Sequence, residues 1–178
     1  MVSIKFNKIF LLLLFITSLY AHPHTFIEVY PTIKVKDSKT STVSFKWVLD
    51  EMTSTILIME LDQDGDGKIS KKENSFIYSN YFTIFKDYSY YTHIKVKDKL
   101  IKFPKPINFK ASIENHRICY SFEIKENYNI KDTSFEFGDS DFYVAMILKD
   151  EFVKVEGAIA KVTGVDNDFY YGYRLELK

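Results

Sequence analysis

Three aspartates at alternate positions open the run Asp62-Gln-Asp64-Gly-Asp66-Gly67-Lys68-Ile69-Ser70-Lys-Lys-Glu73. A hard divalent cation such as Ca2+ takes six to eight oxygens. A twelve-residue loop supplies them from carboxylates at positions 1, 3 and 5, a backbone carbonyl at 7, often a water at 9, and a bidentate glutamate at 12. Every slot here holds the expected residue type, so the run reads as one complete EF-hand calcium loop. Asp62, Asp64, Asp66 and Glu73 would ligate by side chain and Lys68 by its carbonyl. Gly67 stands where such a loop turns at positive φ, and Ile69 where a β-branched residue packs inward. If the chain is exported, a lone loop is expected to serve as a permanently filled staple, the alternative being a sensor, which needs an ion level that changes and usually a paired hand.

A second constellation is His22-Pro23-His24. Residues Met1 to Ala21 have the form of a secretory signal: Lys5 and Lys8 give a basic start, Ile9 to Ile16 an apolar run, and Ser18-Leu-Tyr-Ala21 a cleavage region ending in a small residue. The apolar run is about half of the roughly 20 residues that span a bilayer, so cleavage is expected and the product is expected to be soluble. His22 then offers a free α-amine and an imidazole, and His24 a second imidazole, a donor set suited to Ni2+, Co2+, Cu2+ or Zn2+. The square-planar amino-terminal site needs a deprotonated amide at the second residue. Pro23 has none to give, which leaves a brace of one amine and two imidazoles.

Other residues carry less chemistry. His93 alternates with apolar neighbours, His116 sits in a turn, and Cys119 lies in a strand-like run, which suits a small buried apolar residue better than a reactive thiol. A single cysteine forms no internal disulfide. No Ser/His/Asp arrangement or phosphate loop is evident. The 24 Lys and Arg balance 24 Asp and Glu over 178 residues, and loss of the leader takes two lysines away. A nucleic-acid partner would need a basic face to displace counterions from phosphates, and this composition provides none.

The elements that must position these groups follow from periodicity. Thr25 to Val35 and Thr42 to Leu49 are rich in Phe, Ile, Val and Thr around the polar Asp37-Ser38-Lys39, which predicts a hairpin. Asp50 to Leu61 repeats Met52, Ile56 and Met59 and, offset by one, Leu57 and Leu61 at helical spacing with Asp50 as N-cap, and a second helix is expected from Lys71 to about Lys86. Beyond it the period returns to two in seven short runs: Tyr90 to Val96, Leu100 to Phe103, Phe109 to Glu114, Arg117 to Lys125, Thr133 to Phe137, Tyr143 to Leu148 and Tyr173 to Leu177. The expected fold is mainly β, an antiparallel, immunoglobulin-like sandwich over 22–178, with an EF-hand helix-loop-helix inserted at about 50–86.

Four stretches, His22-Pro-His-Thr-Phe-Ile27, Trp47-Val-Leu-Asp50-Glu51 with Ser54, the loop Asp62 to Glu73, and Asp139-Ser-Asp-Phe-Tyr-Val-Ala145, occur in this order. Together they resemble a family of bacterial periplasmic proteins regarded as components of an unidentified transport system and often encoded beside nickel/cobalt permeases. The resemblance covers essentially the whole mature chain. It implies a periplasmic location, transition-metal handling and a membrane transporter as partner, and it adds Asp50, Glu51 and Asp139 to His22 and His24 as candidate transition-metal residues. Leu49 and Ser140 depart from the Phe and Pro usual in that family, at packing and turn positions.

Two function classes follow. The first is an exported metal-binding protein, stabilised by Ca2+ and handling Ni2+, Co2+, Cu2+ or Zn2+ for a transporter. The second is a copper-dependent redox enzyme using an N-terminal histidine brace. The short chain and the lack of a substrate-cleft signature favour the first.

Overall fold

The computed structural model describes residues 24–141 and 143–178. The expected leader and His22 lie outside the described residues.

The chain opens as an antiparallel hairpin of β1 (Thr25–Lys36) and β2 (Lys39–Leu49). Alternation sorts its side chains: Ile27, Val29, Ile33, Val43, Phe45, Trp47 and Leu49 are buried on one face, while Glu28, Tyr30 and Lys46 stand on the other. Helix α1 (Glu51–Leu61) follows at once, its Asp50 cap accepting the Thr53 N–H at Oδ1, 2.8 Å away. Helix α2 (Lys71–Ile77) begins with a reciprocal Ser70–Glu73 capping box.

The remaining strands are β3 (Thr92–Val96), β4 (Lys99–Ile101), β5 (Ile107–Glu114), β6 (Arg117–Ile124), β7 (Thr133–Gly138), β8 (Val144–Ile147), β9 (Lys154–Glu156), β10 (Ala160–Asp166) and β11 (Tyr171–Leu177). They form two sheets. The first runs β5-β6-β2-β1-β8 with β9 also on β1, and the second runs β10-β11-β7-β3-β4. Phe45 of the first meets Phe137 of the second edge-on at 6.1 Å, so the inner faces share one aromatic core.

The structure differs from the sequence expectation in four respects. The first sheet is mixed, because β8 and β9 both pair with β1 in parallel. Strands β9 and β10 were not expected. Regular helix stops at Ile77, nine residues short of Lys86, and gives way to a π-helical turn over Tyr78–Phe82 and 3-10 turns over Thr83–Tyr91. In α1 the offset pair faces inward, Leu61 buried beside Ser54 and Leu57 partly covered with Ile58, whereas Met52, Ile56 and Met59 of the same expected pattern are 67, 58 and 76 % exposed. That helix is apolar around its circumference, so spacing alone does not choose its inner face. Among the described residues no helix is long and apolar enough to cross a membrane.

Candidate metal centres

The loop between α1 and α2 draws its aspartates together. Asp62, Asp64 and Asp66 each present a carboxylate oxygen, and these oxygens lie within 4.8 Å of one another. Backbone bonds set this spacing. Asp62 accepts the Asp66 N–H (3.1 Å) and the Gly67 N–H (2.9 Å), and Asp66 accepts the Lys68 N–H (2.8 Å). Gly67 has φ +78°, the left-handed region that a side chain would strain, and Ile69 packs partly buried against the core. Glu73 is not part of the triad. Its Oε2 accepts the Ser70 N–H (2.8 Å) and its Oε1 the Gln63 N–H (2.6 Å), so it ties the end of the loop to its start. Those bonds from Ser70 and Gln63 hold its carboxyl below the usual range. The all-oxygen donor set, at loop positions 1, 3 and 5, fits a hard cation.

Of the transition-metal candidates, His24, Asp50 and Asp139 make backbone bonds near the start of β1. His24 donates its backbone N–H to Tyr143 O (2.9 Å), and Thr25 donates to the same oxygen (3.3 Å). The His24 ring stacks on Tyr143 with centroids 6.1 Å apart. Across the hairpin, Phe26 donates to Asp50 Oδ2 (2.9 Å) while the Asp50 N–H returns a bond to Phe26 O (2.9 Å). Burial pushes the Asp50 carboxyl up, but the bonds from Thr53 and Phe26 outweigh it and the net shift is downward. Asp139 is buried, with Oδ1 accepting from Asp141 N–H and Oδ2 from Tyr143 and Val144 N–H at 3.1, 3.1 and 2.9 Å. Ser54, also in the second stretch, is buried. Its Oγ accepts the Ile118 N–H (3.0 Å) and donates to Leu49 O (3.3 Å), pinning α1 to β6.

Glu51 points elsewhere. It lines a cleft of about 380 Å3 on the outer face of the first sheet with Glu28, Lys46, Glu114, Arg117 and Cys119. Among the described residues His24, Asp50, Glu51 and Asp139 do not gather three ligand atoms in one place. Cys119 is buried and its thiol is pushed up by burial, which agrees with a packing role. His116 is exposed in its turn. His93 is half-buried, stacked on Tyr170 at 4.3 Å, with Nε2 3.1 Å from Gly138 O.

Periodicity did not mark the buried Glu136 on β7. Its carboxylate takes Lys95 Nζ (2.9 Å), Arg174 Nη2 (2.6 Å), Arg174 Nε (2.7 Å) and the Tyr170 hydroxyl. A glutamate between two phenylalanines in an alternating strand reads as solvent-facing. Only the register that sets Glu136 between His93 and Arg174 reveals the cluster.

A family profile described as "Protein of unknown function (DUF1007)" matches residues 8–165. A Spirochaeta aurantia protein, "Uncharacterized 15.5 kDa protein in trpE 3'region", is 35% identical over 66 residues, covering 37% of this chain and 47% of that protein. A Haemophilus influenzae "Uncharacterized protein" is 26% identical over 130 residues, covering 71% of this chain and 62% of that one. The chain thus spans about half to three fifths of the length of these relatives.

Proposed function

The chain belongs to this DUF1007 family, and from that premise we propose that it is an exported, periplasmic metal-binding protein. In this reading Ca2+ fastens an EF-hand-like insertion into an immunoglobulin-like sandwich, and a transition metal (Ni2+, Co2+, Cu2+ or Zn2+) is taken at the processed N-terminus for a membrane transporter. The observation that carries the calcium part is the convergence of Asp62, Asp64 and Asp66, in the register such a loop uses, between two helices. Carboxylates at this spacing repel by about 1 kcal/mol per pair in water and more in a lower dielectric. Calcium would offset that repulsion, with Asp62, Asp64 and Asp66 as side-chain ligands, Lys68 contributing its carbonyl, and Glu73 turning its remaining lone pairs inward. The transition-metal part is supported by His24 being fixed by its backbone at the sheet end where the stretches around residues 50 and 139 also arrive.

Calcium binding is tested on the mature protein by melting with and without Ca2+. At a hundredfold excess over Kd, mass action adds about 2.7 kcal/mol, or about 5–10 °C for a domain of this size. Asp64→Asn should remove most of that gain without lowering the melting point of the metal-free protein, since its carboxylate makes one long bond, 3.3 Å to Asp66 N–H. Glu73→Gln should lower both, because Glu73 also holds the Ser70 and Gln63 amides. An unchanged melting temperature in millimolar Ca2+ would refute the calcium reading.

A further inference from the structure

Asp50 and Asp139 stand on different elements, yet their hydrogen bonds lead to neighbouring residues at the start of β1, Asp50's to Thr25 and Phe26 and Asp139's, by way of Tyr143, to His24 and Thr25. Asp50 caps α1 with Oδ1, and with Oδ2 it takes the Phe26 N–H and the Thr53 hydroxyl (2.8 Å). The Thr53 hydroxyl reaches on to Thr25 Oγ1 at 3.4 Å. Asp139 folds the loop before β8 by accepting the amides of Asp141, Tyr143 and Val144. The carbonyl of Tyr143 in that loop then receives His24 and Thr25. One carboxylate therefore grips the start of β1 directly from the α1 side, and the other holds the loop whose Tyr143 carbonyl grips it from the β8 side.

A carboxylate has about four lone-pair sites. Each of these two spends three on protein donors, and turning either toward a metal would strand backbone amides, Asp139's in a buried setting. We propose that Asp50 and Asp139 are positioning residues: they clamp the backbone of His24, Thr25 and Phe26, fix where the chain end stands, and are not themselves metal ligands. This rests on the transition-metal reading above only for what the clamp serves. The clamp itself is a property of the metal-free fold.

The test uses the mature chain beginning at His22, with Asp50→Asn, Asp139→Asn and Asp139→Ala. Amide hydrogen exchange of the metal-free protein is read at His24, Thr25 and Phe26, with Val29 and Phe45 as core references. The clamp predicts exchange at least tenfold faster at the three residues, more for Ala than for Asn at 139, while the core amides stay protected. Asn keeps one acceptor oxygen and should rescue in part. Unchanged exchange at residues 24–26 would overturn the proposal whether or not metal binds.

Cu2+ then serves as the probe for the second half. Affinity should fall about tenfold in the variants, while the electron paramagnetic resonance signature of the bound Cu2+ stays that of wild type. A changed signature in Asp50→Asn or Asp139→Asn would mean a lost ligand and would overturn the positioning role. Faster exchange in the variants, with no Cu2+ bound by wild type, would uphold the clamp and remove the transition-metal reading instead.

Discussion

Glu136 is fully buried while Lys95 and Arg174, which hold it, keep side chains 26 and 39 % exposed. The asymmetry decides what its loss does. Burial alone would push this carboxyl up, but the bonds from Tyr170, Lys95 and Arg174 outweigh burial and the net direction is down from 4.5. A carboxyl depressed in the folded state contributes stability above its unfolded value and loses it as pH falls through the folded value. Glu136→Gln should therefore cost about 1–3 kcal/mol at neutral pH. The cost stays moderate because both cations can turn to water. The gap between wild type and variant should close below about pH 4.5. Urea denaturation at stepped pH measures both, and a gap that widened on acidification would contradict the assignment.

At the scale of elements, three hairpins turn through two residues at positive φ, and none of those residues is glycine: Asp37-Ser38 between β1 and β2, Lys97-Asp98 between β3 and β4, and Asn115-His116 between β5 and β6. Two positive φ values are the mark of a type I′ turn, where Asn-Gly or Asp-Gly is preferred. A side chain in that region is strained by about 1–2 kcal/mol, and glycine gives part of the relief back as unfolded-chain entropy. His116→Gly and Asp98→Gly should each raise stability by about 0.5–1 kcal/mol in equilibrium denaturation. A loss at either position would mean that its side chain makes a contact worth more than the strain.

The same turns show what sequence makes visible. The β1–β2 hairpin, α1 with its Asp50 cap and the aspartate loop are legible because each is encoded within a dozen or so consecutive residues. The parallel pairing of β1 with β8 and β9 is not, since register between distant segments leaves no local periodicity. The clamp on residues 24–26 stayed hidden for the same reason. A motif can name Asp50 and Asp139, but only the fold shows that their oxygens accept backbone amides.

For the molecule as a whole, the decisive question is whether the helical insertion melts with the sheets or apart from them. Leu61, Ile77 and Phe82 of the insertion are fully buried, and Phe82 touches Trp47, Phe109, Tyr120 and Phe122 at 4.3–6.2 Å. The single Trp47 belongs to β2 yet packs on Phe82 and Phe85 from the insertion and on Phe122 from β6. Ser54 and Asn74 add two bonds between the helices and the strands, to Ile118 N–H and Ala111 N–H. Withdrawing the insertion would open the core around Trp47, and large-to-small changes of far less volume in cores cost several kcal/mol. The insertion and the sheets should therefore unfold together. Trp47 fluorescence, which reports the seam, and far-ultraviolet circular dichroism, dominated by strands and helices alike, should give coincident denaturation curves. Calcium bound at the loop should shift both midpoints by the same amount, because stabilising one part of a cooperative unit stabilises all of it. A fluorescence transition that precedes the dichroism transition, or that alone responds to Ca2+, would show the helix pair to be a separately melting attachment.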